Sequence, residues 1–359
     1  MTDGSEGIIR LSPPGQGDIR PGPQWRPALL ARPLAAGRIG CELCPFGCVL
    51  GPGQVGPCRV RRNDGGRLET ATYAVAAAHL DAIERKPLYH VRPGTSVLTV
   101  AAPGCTFRCD YCVNHRLSQY GRDDDVSWVG EEPRPAELVA EAAGHRAAVG
   151  VSYTEPGLAP ELTLALAEHA APAGVAIVWK TNGFLTARAI DLVAPLLLAV
   201  NIDVKAAGDA AHRRLTGAPL RPVLDAVERF RAAGVWVEVS TPLIPGTSAD
   251  VDQLRTIARW LVTMDPDIPW HLLRFTPDYR MSGHVPTQPD ALAAAHTIGG
   301  DAGLRFRYIE RALGDAGRTT VCPTCGLSVI SRGIWTTTKI SMVNGRCRGC
   351  AAVVPGRWE

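Results

Sequence analysis

The sequence has little lysine, no long apolar run and no large excess of charge of either sign. Lysine occurs only at Lys86, Lys180, Lys205 and Lys339, so arginine carries most of the positive charge. A net charge of +3 in 359 residues is too balanced to indicate a nucleic-acid or membrane-surface partner. The chain has no run of about 18 apolar residues and no signal-peptide pattern at its N-terminus, which predicts a cytoplasmic protein.

The eleven cysteines fall into three groups, with none left outside them. The groups are Cys41, Cys44, Cys48 and Cys58; Cys105, Cys109 and Cys112; and Cys322, Cys325, Cys347 and Cys350. In a chain without a secretory signal, such clusters indicate metal ligation rather than disulfide bonds. Groups of four, three and four predict two closed metal sites and one open site between them.

The central group has the spacing C-x3-C-x2-C and follows an apolar run. Four thiolates close a four-iron cluster, so three thiolates can hold three irons and leave the fourth iron open. An open coordination position is typical of catalytic rather than structural metal sites. The alternative is a structural zinc knot. We therefore take Cys105, Cys109 and Cys112 as candidate ligands of a catalytic [4Fe–4S] cluster.

The first group lies among glycines and prolines, in a segment too small to fold on an apolar core alone. Such a segment needs a metal to hold its loops together. Zinc and an auxiliary [4Fe–4S] cluster both fit four thiolates, and the C-x2-C-x3-C spacing does not decide between them. A closed site here would be structural or an electron relay.

The last group consists of two C-x2-C pairs separated by 21 residues. This spacing predicts a zinc ribbon, with a rubredoxin-like iron site as the alternative. We expect this C-terminal domain to cover residues 313–359.

Between these groups, short apolar runs alternate with amphipathic segments. The predicted strands are 96–102, 149–154, 176–181, 200–205, 235–241, 270–275 and 305–309, and the predicted helices are 135–145, 159–169, 186–198, 222–233, 251–263 and 289–299. The alternation predicts an α/β fold with a parallel sheet. About six units in roughly 215 residues are too few for a full eight-unit barrel, which favours a partial (β/α)6 barrel over 91–312. We expect a four-cysteine module over 37–90 and a disordered or loosely draped extension over 1–36.

Polar residues stand at or near the predicted strand ends, where catalytic groups lie in such barrels. They are Thr154, Glu155, Asn182, Asp203, Lys205 and His271. Most also have a structural interpretation: Glu155 as a helix cap, Asn182 with Gly183 as a turn, Asp203 and Lys205 as a mutual pair, and His271 as a hydrogen-bonded core histidine.

The cysteine spacing, with Tyr111 before the last cysteine, resembles the radical S-adenosylmethionine (SAM) superfamily. From about residue 41 onward the chain is similar to the radical SAM member of the AmmeMemoRadiSam system, in the branch related to pyruvate formate-lyase activating enzyme. The matching segments are Cys41-x2-Cys44-Pro45, 153–156 (YTEP), 181–183 (TNG), 201–205 (NIDVK), 215–217 (LTG), 269–279 (PWH through PDY) and the C-terminal cysteine pairs.

The resemblance implies a [4Fe–4S] cluster on Cys105, Cys109 and Cys112 that binds SAM. It places Tyr153, Thr154 and Glu155 where the family has a Gly-Gly-Glu motif, so that Glu155 would bind the methionyl amino group. The resemblance further implies that Asn182, Asp203, Lys205 and His271 contact the SAM carboxylate, its ribose or an associated cation, and that Tyr111 lies near the adenine.

The activity implied is reductive cleavage of SAM to a 5′-deoxyadenosyl radical that abstracts hydrogen from a substrate. The substrate would be a small molecule, peptide or protein, and the electron donor would be a flavodoxin or ferredoxin. One alternative is an activase for a glycyl-radical partner protein. Another is a non-catalytic iron–sulfur or zinc protein that binds nucleic acid or acts as a sensor.

Overall fold

The computed structural model describes residues 24–75, 77–122, 131–309 and 314–359. No helix within these ranges is long and apolar enough to span a membrane. Most of the predicted extension, 1–23, lies outside them. Residues 24–36 contain two short strands that pair with strands of the cysteine module. Strands of two and three residues that each contain a proline leave no apolar pattern to detect.

The N-terminal module consists of six short strands in two antiparallel sheets, ordered β1-β6-β5 and β2-β3-β4. They are β1 (Arg26–Pro27), β2 (Ala31–Pro33), β3 (Ile39–Cys41), β4 (Val49–Leu50), β5 (Arg61–Asp64) and β6 (Arg67–Thr70). The Arg61 guanidinium donates to both oxygens of Glu161, at 2.7 and 2.9 Å, and both side chains are buried. This two-point contact ties the module to the central domain.

The central domain contains an eight-stranded sheet whose strands lie in their sequence order. They are β7 (Ala77–Ala82), β8 (Ser96–Ala101), β9 (Ala148–Val151), β10 (Ile177–Thr181), β11 (Ala199–Asp203), β12 (Trp236–Leu243), β13 (Trp270–Arg274) and β14 (Arg307–Ile309). Strands β8 to β14 are parallel, and β7 is antiparallel to β8. The carboxyl ends of the parallel strands therefore meet along one edge, where ligands bind in such sheets.

Helices connect the strands and pack on the sheet. They are α1 (His115–Ser118), α2 (Pro135–Gly144), α3 (Pro160–Ala170), α4 (Ala187–Val193), α5 (Asp209–Thr216), α6 (Arg221–Ala232), α7 (Val251–Met264) and α8 (Pro289–Asp301). In α6, the buried residues Val223, Ala226, Val227 and Phe230 are spaced i, i+3, i+4 and i+7. This spacing forms one apolar face, so burial rather than intrinsic propensity sets the position of the helix.

The C-terminal segment forms a small antiparallel domain docked on the sheet. Its strands are β15 (Thr320–Val321), β16 (Ser328–Arg332), β17 (Thr337–Ile340), β18 (Met342–Val343) and β19 (Arg346–Cys347). Val329 and Ile330 share an apolar cluster with Tyr89 and Tyr308 of the central domain. The Arg332 guanidinium donates to the Tyr89 carbonyl at 2.5 Å, so polar contacts reinforce the apolar ones.

The observed elements establish an α/β fold with a central, mostly parallel sheet. The seven predicted strands correspond to β8 through β14, with ends that differ by up to three residues. The six predicted helices correspond to α2, α3, α4, α6, α7 and α8. Within the described part of the central domain, one strand and two α-helices were not predicted, namely the antiparallel strand β7 and the helices α1 and α5.

Candidate functional site

The loop that carries the three central cysteines begins three residues after β8 ends at Ala101. It turns sharply at Gly104, whose φ of +94° favours glycine, and a Cβ there would lie 2.9 Å from Val60 Cγ1. The Arg122 guanidinium donates to the carbonyls of Cys105 at 2.7 Å and Phe107 at 2.8 Å. The loop backbone is therefore held in place by a turn and by side-chain contacts.

The three cysteines line a cavity of about 320 Å³ at the carboxyl edge of the sheet. The Cys109 side chain is buried, and Cys112 Sγ lies 3.2 Å from Ser118 Oγ. Asn182, after β10, places its amide nitrogen 3.5 Å from Cys105 Sγ and donates to Thr106 at 2.9 Å. Burial raises the pKa of the Cys109 thiol to about 12, although the Lys205 charge opposes this shift. A cation at the site is what would stabilise these sulfurs as thiolates.

Glu155 lies on the same cavity, just after β9. Its carboxylate is buried and accepts hydrogen bonds from Thr181 Oγ1 at 2.6 Å and the Asn182 amide at 2.8 Å. It also caps the following turn by accepting from the Gly157 amide at 2.7 Å. Burial raises the pKa of Glu155 to about 7, and these hydrogen bonds limit the rise. Glu155 can therefore change charge near neutral pH.

Asp203 ends β11 and binds two lysines at the cavity wall. Lys205 Nζ lies 2.9 Å from one Asp203 oxygen, and Lys180 Nζ donates to the other oxygen and to Asn201 at 2.6 Å. Burial opposes ionisation of Asp203, but the two ammonium groups lower its pKa overall. One carboxylate beside two ammonium groups leaves a net positive charge, which suits an anionic ligand group.

Thr154 and Tyr111 also line the cavity. The Thr154 hydroxyl donates to the Ala102 carbonyl, which joins the end of β9 to the start of the cysteine loop. Tyr111 presents its ring to Lys205, whose Nζ lies 5.7 Å from the ring centroid. Both predicted positions therefore belong to the same cavity as the cysteines.

His271 does not line this cavity. It is buried within β13, and its Nε2 donates to Glu238 at 2.6 Å. The rings of Tyr89 and Tyr308 pack around it, with centroids at 4.9 and 5.2 Å. The structure therefore places His271 in the core beneath the site, where the interpretation as a hydrogen-bonded core histidine fits its contacts.

Lys180, Tyr153 and Arg85 line the cavity but were not among the predicted site residues. Tyr153 has a φ of +68°, an uncommon backbone conformation for a bulky residue, and donates to Asp81 Oδ2 at 2.7 Å. Lys86 binds the same Asp81 oxygen at 2.9 Å. The scarcity of lysine could have indicated these site residues, because three of the four lysines in the sequence lie in or beside this cavity.

The region that matches a known protein family contains most of the site residues. The Radical SAM superfamily profile matches residues 99–261, which contain the three cysteines, Glu155, Asn182 and Asp203. An uncharacterized protein of Methanocaldococcus jannaschii is 32% identical over 330 residues, which cover 90% of this chain and 97% of that protein. The chain belongs to the radical SAM superfamily.

Two further similarities to known proteins cover part of the chain. An isethionate sulfite-lyase activating enzyme of Nitratidesulfovibrio vulgaris is 28% identical over 167 residues, 45% of this chain and 54% of that enzyme. The structure of a radical SAM methyltransferase from Sphaerobacter thermophilus matches 65% of this chain and 70% of that chain, with a TM-score of 0.48 and 17% identity. The chain thus spans about half the length of that activating enzyme.

Membership in the radical SAM superfamily makes the chain an enzyme and implies a [4Fe–4S] cluster and SAM. The central cysteines fit such a cluster, because all three line one cavity. Ligands of a single metal ion have sulfurs close together, but the sulfurs of the central cysteines do not all lie within 4.8 Å of one another. Separate irons of a cubane suit this wider arrangement.

The C-terminal cysteines have the opposite geometry. Their four sulfurs all lie within 4.8 Å of one another, and the pairs Cys322–Cys350 and Cys325–Cys347 are both 3.6 Å apart. Four sulfurs at the zinc–sulfur distance of about 2.3 Å around one tetrahedral ion are separated by about 3.8 Å. The group can therefore hold a single metal ion.

The N-terminal cysteines surround a second cavity, of about 390 Å³. Cys41 and Cys44 are buried, and Cys48 and Cys58 are partly buried. Burial raises the pKa values of Cys44, Cys48 and Cys58, and the negative charges of neighbouring cysteines raise those of Cys44 and Cys48 further. The four side chains are thus gathered around one space.

Proposed function

We propose that this chain cleaves SAM reductively at a cluster held by Cys105, Cys109 and Cys112, and that the resulting 5′-deoxyadenosyl radical abstracts hydrogen from a substrate. The cluster, when bound, supplies the electron for this cleavage. One observation carries the proposal: the three cysteines, Glu155 and the Asp203 group line the same cavity.

The charges of this cavity match the two ends of an amino acid. Glu155 offers a buried carboxylate to the methionyl ammonium group of SAM. On the same cavity, Lys180 and Lys205 exceed Asp203 by one positive charge, which suits the SAM carboxylate. Asn182 donates from its backbone amide to Glu155 and lies beside Cys105. These residues would bind and orient SAM against the cysteine loop, while Tyr111 supplies an apolar face for the adenine.

The test is anaerobic reconstitution with iron and sulfide, followed by addition of dithionite and SAM. The proposal predicts 5′-deoxyadenosine and methionine as products. A reconstituted cluster that yields no 5′-deoxyadenosine under these conditions would contradict it and would leave a non-catalytic metal protein.

An activase for a glycyl-radical protein is the second candidate function. The observation that favours it is the similarity of about half the chain to an isethionate sulfite-lyase activating enzyme. Incubation of the reduced enzyme and SAM with a candidate partner protein should then produce a glycyl-radical EPR signal on that partner. Products formed from small molecules alone would favour the first candidate.

We also propose a domain arrangement for this enzyme. The sequential order of the parallel strands β8 to β14 supports a partial (β/α)6 barrel. An N-terminal cysteine module would precede the barrel, and a C-terminal ribbon domain would follow it from about residue 313. The external electron donor would be a flavodoxin or ferredoxin.

We expect SAM to bind more tightly as pH rises through about 7. Below this pH, Glu155 is protonated because burial raises its pKa to about 7, and a neutral carboxyl does not balance the ammonium group of SAM. If only the ionised form binds, affinity should rise about tenfold between pH 6 and pH 8. Equilibrium binding of SAM to the reconstituted, oxidised enzyme measures this change.

The matched control is Glu155→Gln, which keeps the size and one acceptor oxygen but does not titrate. It should bind SAM weakly, with most of the pH dependence removed. A variant that keeps the full wild-type pH profile would assign the titration to another group and contradict the role of Glu155.

The C-terminal site is expected to hold one zinc ion. Burial raises the pKa of Cys322, but hydrogen bonds from the backbone amides of Cys325 and Thr324 outweigh burial and lower this pKa to about 6. Cys322 is therefore largely a thiolate at neutral pH, which is the form that binds a metal. Cys350→Ser should remove about one zinc per chain and destabilise the C-terminal domain. Metal analysis of the purified variant measures the loss. Iron in place of zinc at this site would indicate the rubredoxin-like alternative.

A further inference from the structure

We propose that Cys41, Cys44, Cys48 and Cys58 bind a second four-iron cluster rather than a zinc ion. The proposal concerns a site that radical SAM chemistry at Cys105, Cys109 and Cys112 does not itself require. It stands on the spacing of the sulfurs, the space between them, and the contacts of the surrounding loops.

The two four-cysteine groups of the chain differ in the distances between their sulfurs. Of the residues that the structure describes, those at the C-terminal site form the one group of three or more metal-ligating side chains whose ligand atoms all lie within 4.8 Å of one another. The N-terminal cysteines are all described, yet no three of them meet that limit. A single tetrahedral zinc ion needs sulfurs about 3.8 Å apart, whereas each cysteine of a cubane binds a different iron and stands farther from the others.

The space between the N-terminal cysteines is also larger than one ion needs. Their cavity measures about 390 Å³, and its walls include the apolar residues Leu43, Phe46, Leu50 and Leu158. Of the described residues, no histidine, aspartate or glutamate lines it, so the metal ligands that these lining side chains offer are cysteine sulfurs. Thiolates without competing oxygen or nitrogen ligands are the usual environment of iron–sulfur clusters.

The charge around the cavity suits an anionic cluster. Arg61, Arg108 and Arg122 line it, and among the residues that the structure describes no acidic side chain does so. Arg61 is matched by Glu161. Arg108 also lines the cavity, and Arg122 is close enough to Cys58 for their charges to interact. A cluster ligated by four thiolates is negative, and nearby positive charge favours it.

The cavity lies directly against the loop of the first cluster. The Arg122 guanidinium donates to the Pro57 carbonyl at 3.0 Å and to the Cys105 carbonyl at 2.7 Å, so one side chain joins the two cysteine loops. The Cys58 carbonyl lies 3.3 Å from the position that a Cβ on Gly104 would take. The two metal sites are therefore neighbours, and two reduced clusters there should interact magnetically.

The test is metal analysis of the anaerobically reconstituted full-length protein and of two variants. We expect about eight irons and one zinc per chain in the wild type. Cys58→Ala should retain about four irons together with an EPR signal that changes when SAM is added. Cys109→Ala should also retain about four irons, with an EPR signal that does not respond to SAM. In the fully reduced wild type, interaction between neighbouring clusters should broaden the signals relative to either variant.

About four irons and two zincs in the wild type, with zinc rather than iron lost from Cys58→Ala, would overturn the proposal. If Cys58→Ala does not fold, Mössbauer spectroscopy of the wild type decides the question, because it counts the iron held in cubanes directly. Iron equivalent to one cubane per chain contradicts the second cluster. Failure of SAM cleavage with two cubanes present would contradict the proposed function alone.

Discussion

Replacing Cys109 with alanine is expected to reduce 5′-deoxyadenosine formation to the background of a protein-free assay. The substitution removes one of the three thiolates available to the catalytic cluster, and the cavity offers no other cysteine to replace it. Two thiolates do not close a stable four-iron site. Chromatographic measurement of 5′-deoxyadenosine, after anaerobic incubation with dithionite and SAM, gives the result.

Asp110→Ala is the matched control, one residue away in the same loop. Asp110 is exposed and does not line the cavity, and its carboxylate lies 3.5 Å from the exposed Arg280. An exposed ion pair of this kind contributes little, so this variant should cleave SAM at close to the wild-type rate. If Cys109→Ala produced 5′-deoxyadenosine at a comparable rate, the assignment of the central cysteines would be wrong.

The central sheet was predictable because each parallel strand is buried along most of its length. The run of β9, for example, consists of apolar residues and glycine, is buried throughout, and lies between the segments that form α2 and α3. Strand β7 was not predicted because its sequence, AAHLDA, contains the polar residues His79 and Asp81. The strand also lies at the edge of the sheet. Those two side chains bind each other at 2.9 Å, a contact that sequence periodicity does not reveal.

The helix α5 was missed for a related reason. Its sequence, DAAHRRLT, is mostly polar and buries only His212, Leu215 and Thr216. The buried His212 donates from Nδ1 to the Ala218 carbonyl at 2.7 Å, so tertiary contacts stabilise a segment that lacks a continuous apolar face. Apolar periodicity, the main signal for helices, is weak in such a segment.

The candidate site was predictable where it depends on strand ends. Glu155, Asn182 and Asp203 follow or end consecutive parallel strands, so their convergence on one edge follows from topology. Depth within a strand does not follow from topology. His271 shares its face of β13 with Leu273, which lines the cavity, but it lies two residues farther from the edge.

Pairs between distant segments were also beyond prediction. Tyr153 bonds to Asp81 across 72 residues of sequence, and the strained backbone at Tyr153 has no signature in the residues around it. Lys180 was visible as a charged residue in an apolar strand, yet its partner Asp203 became evident only from the register of β10 beside β11.

Glu238→Gln is expected to lower the free energy of unfolding by about 3 kcal/mol. The Glu238 carboxylate is fully buried and accepts from the backbone amides of Tyr89 and His90, at 3.0 and 2.8 Å. It also accepts from His271 Nε2 and, at 3.1 Å, from Trp236 Nε1. Glutamine replaces one acceptor oxygen with a donor, so at least one buried N–H would lose its partner and face another N–H.

The effect should reach beyond the immediate contacts, because the segment that Glu238 holds also anchors the C-terminal domain. His90 donates from Nδ1 to the Pro355 carbonyl at 2.6 Å, and Tyr89 packs in the apolar cluster shared with that domain. We therefore expect limited proteolysis to release the C-terminal segment faster in Glu238→Gln than in the wild type. Urea unfolding followed by circular dichroism measures the loss of stability.

The control for this prediction is Glu42→Gln, which makes the same chemical change at an ion pair on the surface. Glu42 binds Arg32 and Arg188; both arginine side chains are exposed, and that of Glu42 is partly exposed. Its loss should cost under about 1 kcal/mol. If Glu238→Gln cost no more than this control, the buried carboxylate would not be what holds residues 89 and 90 against the sheet. The apolar cluster and the other polar contacts, such as that of Arg332 with the Tyr89 carbonyl, would then have to dock the C-terminal domain.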